Sequence, residues 1–216
     1  WVEEQRLTET ELDEHVRRIL IMKARQGLFD SGGVVDAEAA GQPIADAAVK
    51  QLSHDVAAAA VILPRNRAGL LPLNPHQKVL VIEQVVIPEF LPNNMHHHAH
   101  SFSEAMLAPS LNQINMDTVF CATEDETKLA LALAEQADVV VMTNYYWRII
   151  PKNNAALVSA LKRNGKRVVV VTNNPYPMGA TADADAVVCT FGCTPSSLRA
   201  AADAVLQATM ISPQCC

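Results

Sequence analysis

From Lys78 onward the chain alternates short valine-rich runs with segments that have the period of an amphipathic helix. Val139-Val140-Val141 and Val168-Val169-Val170-Val171 show no polar alternation, so a strand built from either needs apolar cover on both faces. A sheet covered by helices on both sides meets that need, and strands that alternate with helices enter it in parallel through right-handed crossovers. The expected strands are Lys78 to Glu83, Met116 to Ala122, Asp138 to Thr143, Arg167 to Thr172 and Asp185 to Phe191. Between them lie a helix at about Ala99 to Leu111, one capped by Thr123 and Glu126 that carries Leu129 and Leu133, and one after Pro151 that Gly165 stops. Thr194-Pro195 opens a last helix bearing Leu198, Ala201, Val205 and Leu206. The expected fold class is α/β, a three-layer sandwich around a mostly parallel sheet of about five strands, preceded by helical linker segments.

The preceding region has a different texture. Thr8 and Glu11 form a capping box, Leu7 and Leu12 can staple across it, and Leu12, Val16, Ile19 and Leu20 share one face, which predicts a helix to about Arg25. Leu28 to Pro43, rich in Gly, Asp and Ala, reads as a linker, and a second helix runs from about Ala45 to Ala60. Pro64 and the polar Arg65-Asn66-Arg67 break the pattern after it. Residues 1–43 are expected to be a helix and linker, and residues 44–216 the α/β sandwich.

Composition excludes several roles. Of the 216 residues half are hydrophobic, and the net charge is −6, whereas nucleic acid and anionic membranes reward clustered Lys and Arg. No nucleic-acid or membrane partner is expected, since no apolar run reaches the ~20 residues of a membrane helix. The five cysteines are irregularly spaced and form no CxxC pair, so neither a zinc ribbon nor a thioredoxin motif is supported. Cys121 and Cys189 fall in apolar strand patterns that suit buried thiols. The chain opens at Trp1 rather than Met and is expected to be a fragment, with the compartment left open between cytoplasmic and exported.

Ligands of such sheets bind at the carboxyl ends of the strands. Those ends carry Glu83-Gln84, Asn144-Tyr145-Tyr146-Trp147, Asn173-Asn174-Pro175-Tyr176 and Phe191-Gly192-Cys193. Aromatic residues make up only 5% of the chain, yet three adjoin one strand end. Aromatic faces beside amides suit a sugar ring, and they equally suit an interface with another domain. Glu83, His96, His97, His98, Asn144, Tyr145, Tyr146, Trp147, Asn173, Asn174 and Tyr176 are the candidates for substrate binding or a domain interface. In His96-His97-His98-Ala99-His100, a helix would put His96 and His100 on one face, the spacing of a metal pair. No acid lies immediately beside them, and a polar surface or a substrate or interface role fits as well, so no metal is expected. No glycine-rich turn follows the first strand and no GxxxxGK[ST] occurs, so no nucleotide cofactor is expected. No GxSxG elbow and no paired carboxylates at strand ends are present, and no catalytic residue is assigned.

Several segments together resemble a known family. Val16-Arg17-Arg18-Ile19-Leu20 through Gly27-Leu28-Phe29-Asp30 is similar to the segment that leaves the catalytic barrel of family 3 glycoside hydrolases. Ala60-Val61-Ile62-Leu63-Pro64-Arg65-Asn66 and Leu70-Leu71-Pro72-Leu73 resemble that family's entry into its second domain, with Pro64-Arg65 departing from the usual pair. Val170-Val171-Thr172-Asn173-Asn174-Pro175-Tyr176 and Cys189 through Leu198 look like strand ends of its β-N-acetylglucosaminidase branch. The resemblance implies a non-catalytic C-terminal domain that packs on a barrel of the same protein and shapes the sugar site, with carbohydrate as the possible ligand. The family's nucleophilic Asp and His-based acid/base belong to the barrel. Its Lys-His stretch is absent here, since no Lys is followed by His. The alternative is a free-standing carbohydrate- or metal-binding α/β module.

Overall fold

The computed structural model describes residues 2, 4, 6–34, 36–39, 46–84, 101–107, 112–119, 121–146 and 151–207. The chain divides into two compact units, Trp1–Lys50 and Gln51–Cys216.

In the first unit, α1 (Glu9–Arg25) begins as the sequence predicts. Thr8 Oγ1 accepts from Glu11 N, and the Glu11 carboxylate accepts from Thr8 N at 2.9 Å. These bonds satisfy donors that a helix start leaves open. None of its residues is buried, and Leu12, Val16, Ile19, Leu20 and Met22 are exposed.

The remaining elements are α2 (Ala47–Ala60), β1 (Ile62–Asn66), β2 (Lys78–Gln84), α3 (Ser101–Met106), β3 (Asn112–Thr118), α4 (Glu124–Ala134), β4 (Val139–Thr143), α5 (Lys152–Arg163), β5 (Arg167–Thr172), α6 (Ala180–Asp183), β6 (Ala186–Cys189) and α7 (Pro195–Gln207). A 3-10 turn, Arg67–Gly69, follows β1. The six strands form one sheet in the order β1-β6-β5-β4-β2-β3. Strands β2 to β6 run parallel, and β1 lies antiparallel to β6. Counted from β2, the parallel strands have the doubly wound order 2-1-3-4-5 of flavodoxin-like sheets.

The valine runs explain the layers. Val79, Val81, Val139, Val141, Val169 and Val171 share one core with Ala57 of α2, Phe102 and Met106 of α3, and Leu198, Ala201 and Val205 of α7. Leu80, Ile82, Val140, Met142, Val168 and Val170 share the other with Ala130 of α4, Leu157 and Leu161 of α5, and Ala180 of α6. Consecutive residues of a strand face opposite ways, so an unbroken apolar run fills both layers. Each fully buried Val or Leu adds roughly 1.5–3 kcal/mol by leaving water.

Three elements differ from expectation. The strand expected at Met116 to Ala122 lies earlier, at Asn112–Thr118, because β3 is a sheet edge that tolerates Asn112, Gln113 and Asn115. The helix expected at about Ala99 to Leu111 spans Ser101–Met106, with 99–100 and 108–111 outside the described residues. Ile62–Asn66 adds a sixth strand where Pro64 suggested a break. The proline is accommodated because β1 is an edge and its register with β6 shifts between Ile62 and Arg65. Arg65 then donates from Nη1 to the carbonyls of Thr181, Ala182 and Ala184 at 2.7, 2.8 and 3.1 Å, satisfying the end of α6.

Candidate functional site

From neighbouring strands β2 and β4 the chain departs to opposite faces. The helix after β2, α3, belongs to one core, and the helix after β4, α5, to the other. Such a divergence opens a crevice at the carboxyl ends of the two strands, the place where doubly wound sheets bind ligands. Glu83, Asn144, Tyr145, Tyr146, Asn173, Asn174 and Tyr176 are all brought to this carboxyl rim by the parallel β2, β4 and β5. His96, His97, His98 and Trp147 lie outside the described residues.

Glu83 is only 3% exposed. Its carboxylate accepts from Phe102 N and Ser103 N, each at 3.0 Å, and from Ser103 Oγ at 2.7 Å, which satisfies the start of α3. Its neighbour Gln84 ties β2 to β4. Gln84 N donates to Thr143 Oγ1 at 2.7 Å, and Tyr145 N donates to Gln84 Oε1 at 2.5 Å.

Asn144 is fully buried, and its Oδ1 accepts from Asn154 Nδ2 at 2.9 Å. Asn154 Oδ1 in turn accepts from Ala122 N at 2.9 Å, so one amide chain joins the end of β4, the first turn of α5 and the approach to α4. Asn173 forms a reciprocal pair with the Tyr146 backbone, accepting from its N at 2.8 Å and donating to its O at 2.9 Å. The Tyr146 hydroxyl donates to Met178 O. Asn174 Oδ1 accepts from Tyr176 N at 2.9 Å in a side-chain turn that leaves the Tyr176 ring exposed.

The two tyrosines beyond β4 are buried. Burial, and then the nearby Glu83 and Cys193, push the Tyr145 phenol well above the ordinary tyrosine range. Burial also raises Tyr146. Both therefore stay neutral at physiological pH. Cys121, Cys189 and Cys193 are free thiols, and burial pushes each of them up, away from the thiolate a nucleophile needs. Among the described residues no group of three His, Cys, Asp or Glu is placed to hold a metal ion.

Reasoning from sequence missed Gln84, Thr143 and Asn154 as organisers of this rim. An interior amide on a helix gives no sign that it reaches a strand end. It also passed over Phe191, which is 55% exposed on the same rim beyond β6 and has a φ of 54°. Nothing but its place before Gly192 could have signalled that.

The arrangement defines a doubly wound α/β domain with an uncharged, amide-rich rim. No protein-family model matches the sequence, and no curated protein does. Solved structures do match. A glycoside hydrolase family 3 β-N-acetylglucosaminidase from Paenibacillus sp. str. FPU-7 is 23% identical with a TM-score of 0.70, over 98% of this chain and 40% of that one. A mutant β-glucosidase from Listeria innocua, in complex with laminaribiose, is 20% identical with a TM-score of 0.65, over 96% of this chain and 32% of that one. A β-glucosidase from Erythrobacter marinus is 19% identical with a TM-score of 0.64, over 97% of this chain and 35% of that one. At these identities the likeness is one of fold. The chain spans two-fifths or less of the length of these proteins.

Proposed function

We propose that the chain is the C-terminal, non-catalytic domain of a family 3 glycoside hydrolase, of the kind that acts on N-acetylhexosaminides. In this reading it packs against a catalytic barrel on the same polypeptide and shapes the sugar site with its carboxyl rim. The observation that carries the reading is the overlay of 98% of this chain on 40% of a family 3 β-N-acetylglucosaminidase. Two features support it. The rim's ionisable groups are committed to structure: Glu83 holds α3, and burial keeps the tyrosines and thiols protonated. The apolar stripe of α1 is exposed within its own unit, as suits a helix that another domain covers.

In the same reading residues 1–43 form the helix and linker that leave the barrel, and residues 44–216 the sandwich. Asn144, Tyr145, Tyr146, Asn173 and Glu83 build the rigid floor of the rim, and His96, His97, His98 and Trp147 belong to segments that emerge from it. The test is turnover of an aryl N-acetylglucosaminide by the purified chain. No turnover is expected alone, with activity appearing when the chain is produced joined to the barrel encoded upstream. Turnover by the chain alone, abolished by substituting a residue within it, would overturn the proposal.

A further inference from the structure

Once Tyr145 and Tyr146 are seen to be buried, the exposed aromatic rings among the described residues of the sheet unit are Tyr176 and Phe191, 69% and 55% exposed. Both follow the carboxyl ends of hydrogen-bonded neighbours, since β5 and β6 pair with Thr172 opposite Cys189. Adjacent strands lie about 4.8 Å apart, so the two turns share one stretch of the rim.

Each ring stands on a fixed backbone. Tyr176 N donates to Asn174 Oδ1 at 2.9 Å, and Tyr176 O accepts from Thr181 Oγ1 at 3.0 Å and Met178 N at 2.9 Å. Around Phe191, Thr190 N donates to Thr172 O at 2.9 Å, and Thr190 Oγ1 donates to Gly192 O at 2.6 Å. Phe191 itself occupies the left-handed region, at φ 54°. A bulky residue there is strained, and a glycine would be relaxed. The fold thus keeps a large, solvent-facing ring at a position that backbone energetics alone would give to glycine.

The chemistry around the rings is neutral. Asn173 through Met178 and Thr190 through Thr194 contain no Asp, Glu, Lys, Arg or His. Asn174 uses Oδ1 on Tyr176 N, and no acceptor among the described residues takes its Nδ2. Uncharged aromatic faces with a free amide donor complement a neutral ligand that has an apolar face and hydroxyl groups, and they offer nothing to a phosphate or a metal ion.

We infer that Tyr176 and Phe191, with the Asn174 amide, form a platform that binds a neutral pyranose on this domain itself. The site belongs to the chain alone and does not depend on a barrel to complete it.

The experiment titrates the purified chain with methyl β-D-glucopyranoside, N-acetylglucosamine and, as a charged probe, inorganic phosphate, followed by saturation-transfer NMR. Weak, saturable binding of at least one sugar and none of phosphate is expected. Tyr176→Ala and Phe191→Gly should each weaken the sugar by about tenfold. Phe191→Gly should do so without lowering the melting temperature, because it relieves the left-handed strain, so loss of binding is separable from loss of fold. The platform is overturned if the folded chain binds neither sugar, if binding survives both substitutions, or if phosphate binds as well. Those outcomes leave the domain reading intact, since that reading is tested by turnover and not by binding.

Discussion

Replacing Glu83 with Gln separates a structural role at the rim from a ligand-binding one. The carboxylate is buried and accepts from two backbone N–H groups and one hydroxyl, at 2.7 to 3.0 Å. Phe102 N is served by one carboxylate oxygen, and Ser103 N and Oγ by the other. A glutamine keeps one acceptor but turns an NH₂ toward a backbone donor, which leaves that donor unsatisfied inside the protein. Hydrogen bonds to charged groups contribute about 1.5–3 kcal/mol each, and a stranded buried donor costs about 1–3 kcal/mol. These losses overlap, so a net destabilisation of about 2–4 kcal/mol is expected for Glu83→Gln. In a chain of this size each kcal/mol lowers Tm by about 2–4 °C, which predicts a fall of roughly 4–16 °C in a calorimetric melt. Hydrogen exchange at Phe102 and Ser103 should quicken together. Ser103→Ala should cost only about 1 kcal/mol, and the double variant less than the sum. A fall in Tm under about 1 °C for Glu83→Gln would refute the reasoning, because it would show that the carboxylate does not hold α3 in place.

Two further outcomes follow from the same geometry. Burial acts to raise the Glu126 carboxyl, but hydrogen bonds from Thr123 and Val119 outweigh it and hold the group below the usual glutamate range. A carboxylate depressed in the folded state stabilises above its unfolded pKa and loses that contribution as pH falls through the folded value. Urea midpoints should therefore drop on acidification through the carboxylate range, and less so in Glu126→Gln; identical pH profiles would contradict this. Asn173→Ala removes the reciprocal pair with Tyr146 and should cost about 1–3 kcal/mol in urea unfolding. Asn173→Asp keeps only the acceptor half and should fall between wild type and alanine, and parity with wild type would show that the donated bond contributes nothing.

Much of this protein was legible before any coordinates. The valine runs required cover on both faces, because a residue period of two cannot hide an unbroken apolar strand in a single layer. The capping boxes at Thr8 and Thr123 could be read as well, since they use side chains and backbone only three residues apart. Local chemistry of that kind is written in local sequence. The edge strands were not legible. Pro64 and the polar residues of β3 look like breaks until the sheet shows that nothing pairs beyond them. The rim residues were legible only as a list. Strand order placed Glu83, Asn144 and Asn173 along one edge, but packing decided that Glu83 serves α3, that Tyr145 and Tyr146 face inward, and that Tyr176 and Phe191 stay in solvent. Burial and hydrogen-bond partnership join residues far apart in the chain, Asn144 with Asn154 and Asn173 with Tyr146 among them. The sequence determined which side chains could do chemistry at the strand ends, and only the tertiary contacts decided which of them were left free to meet a ligand.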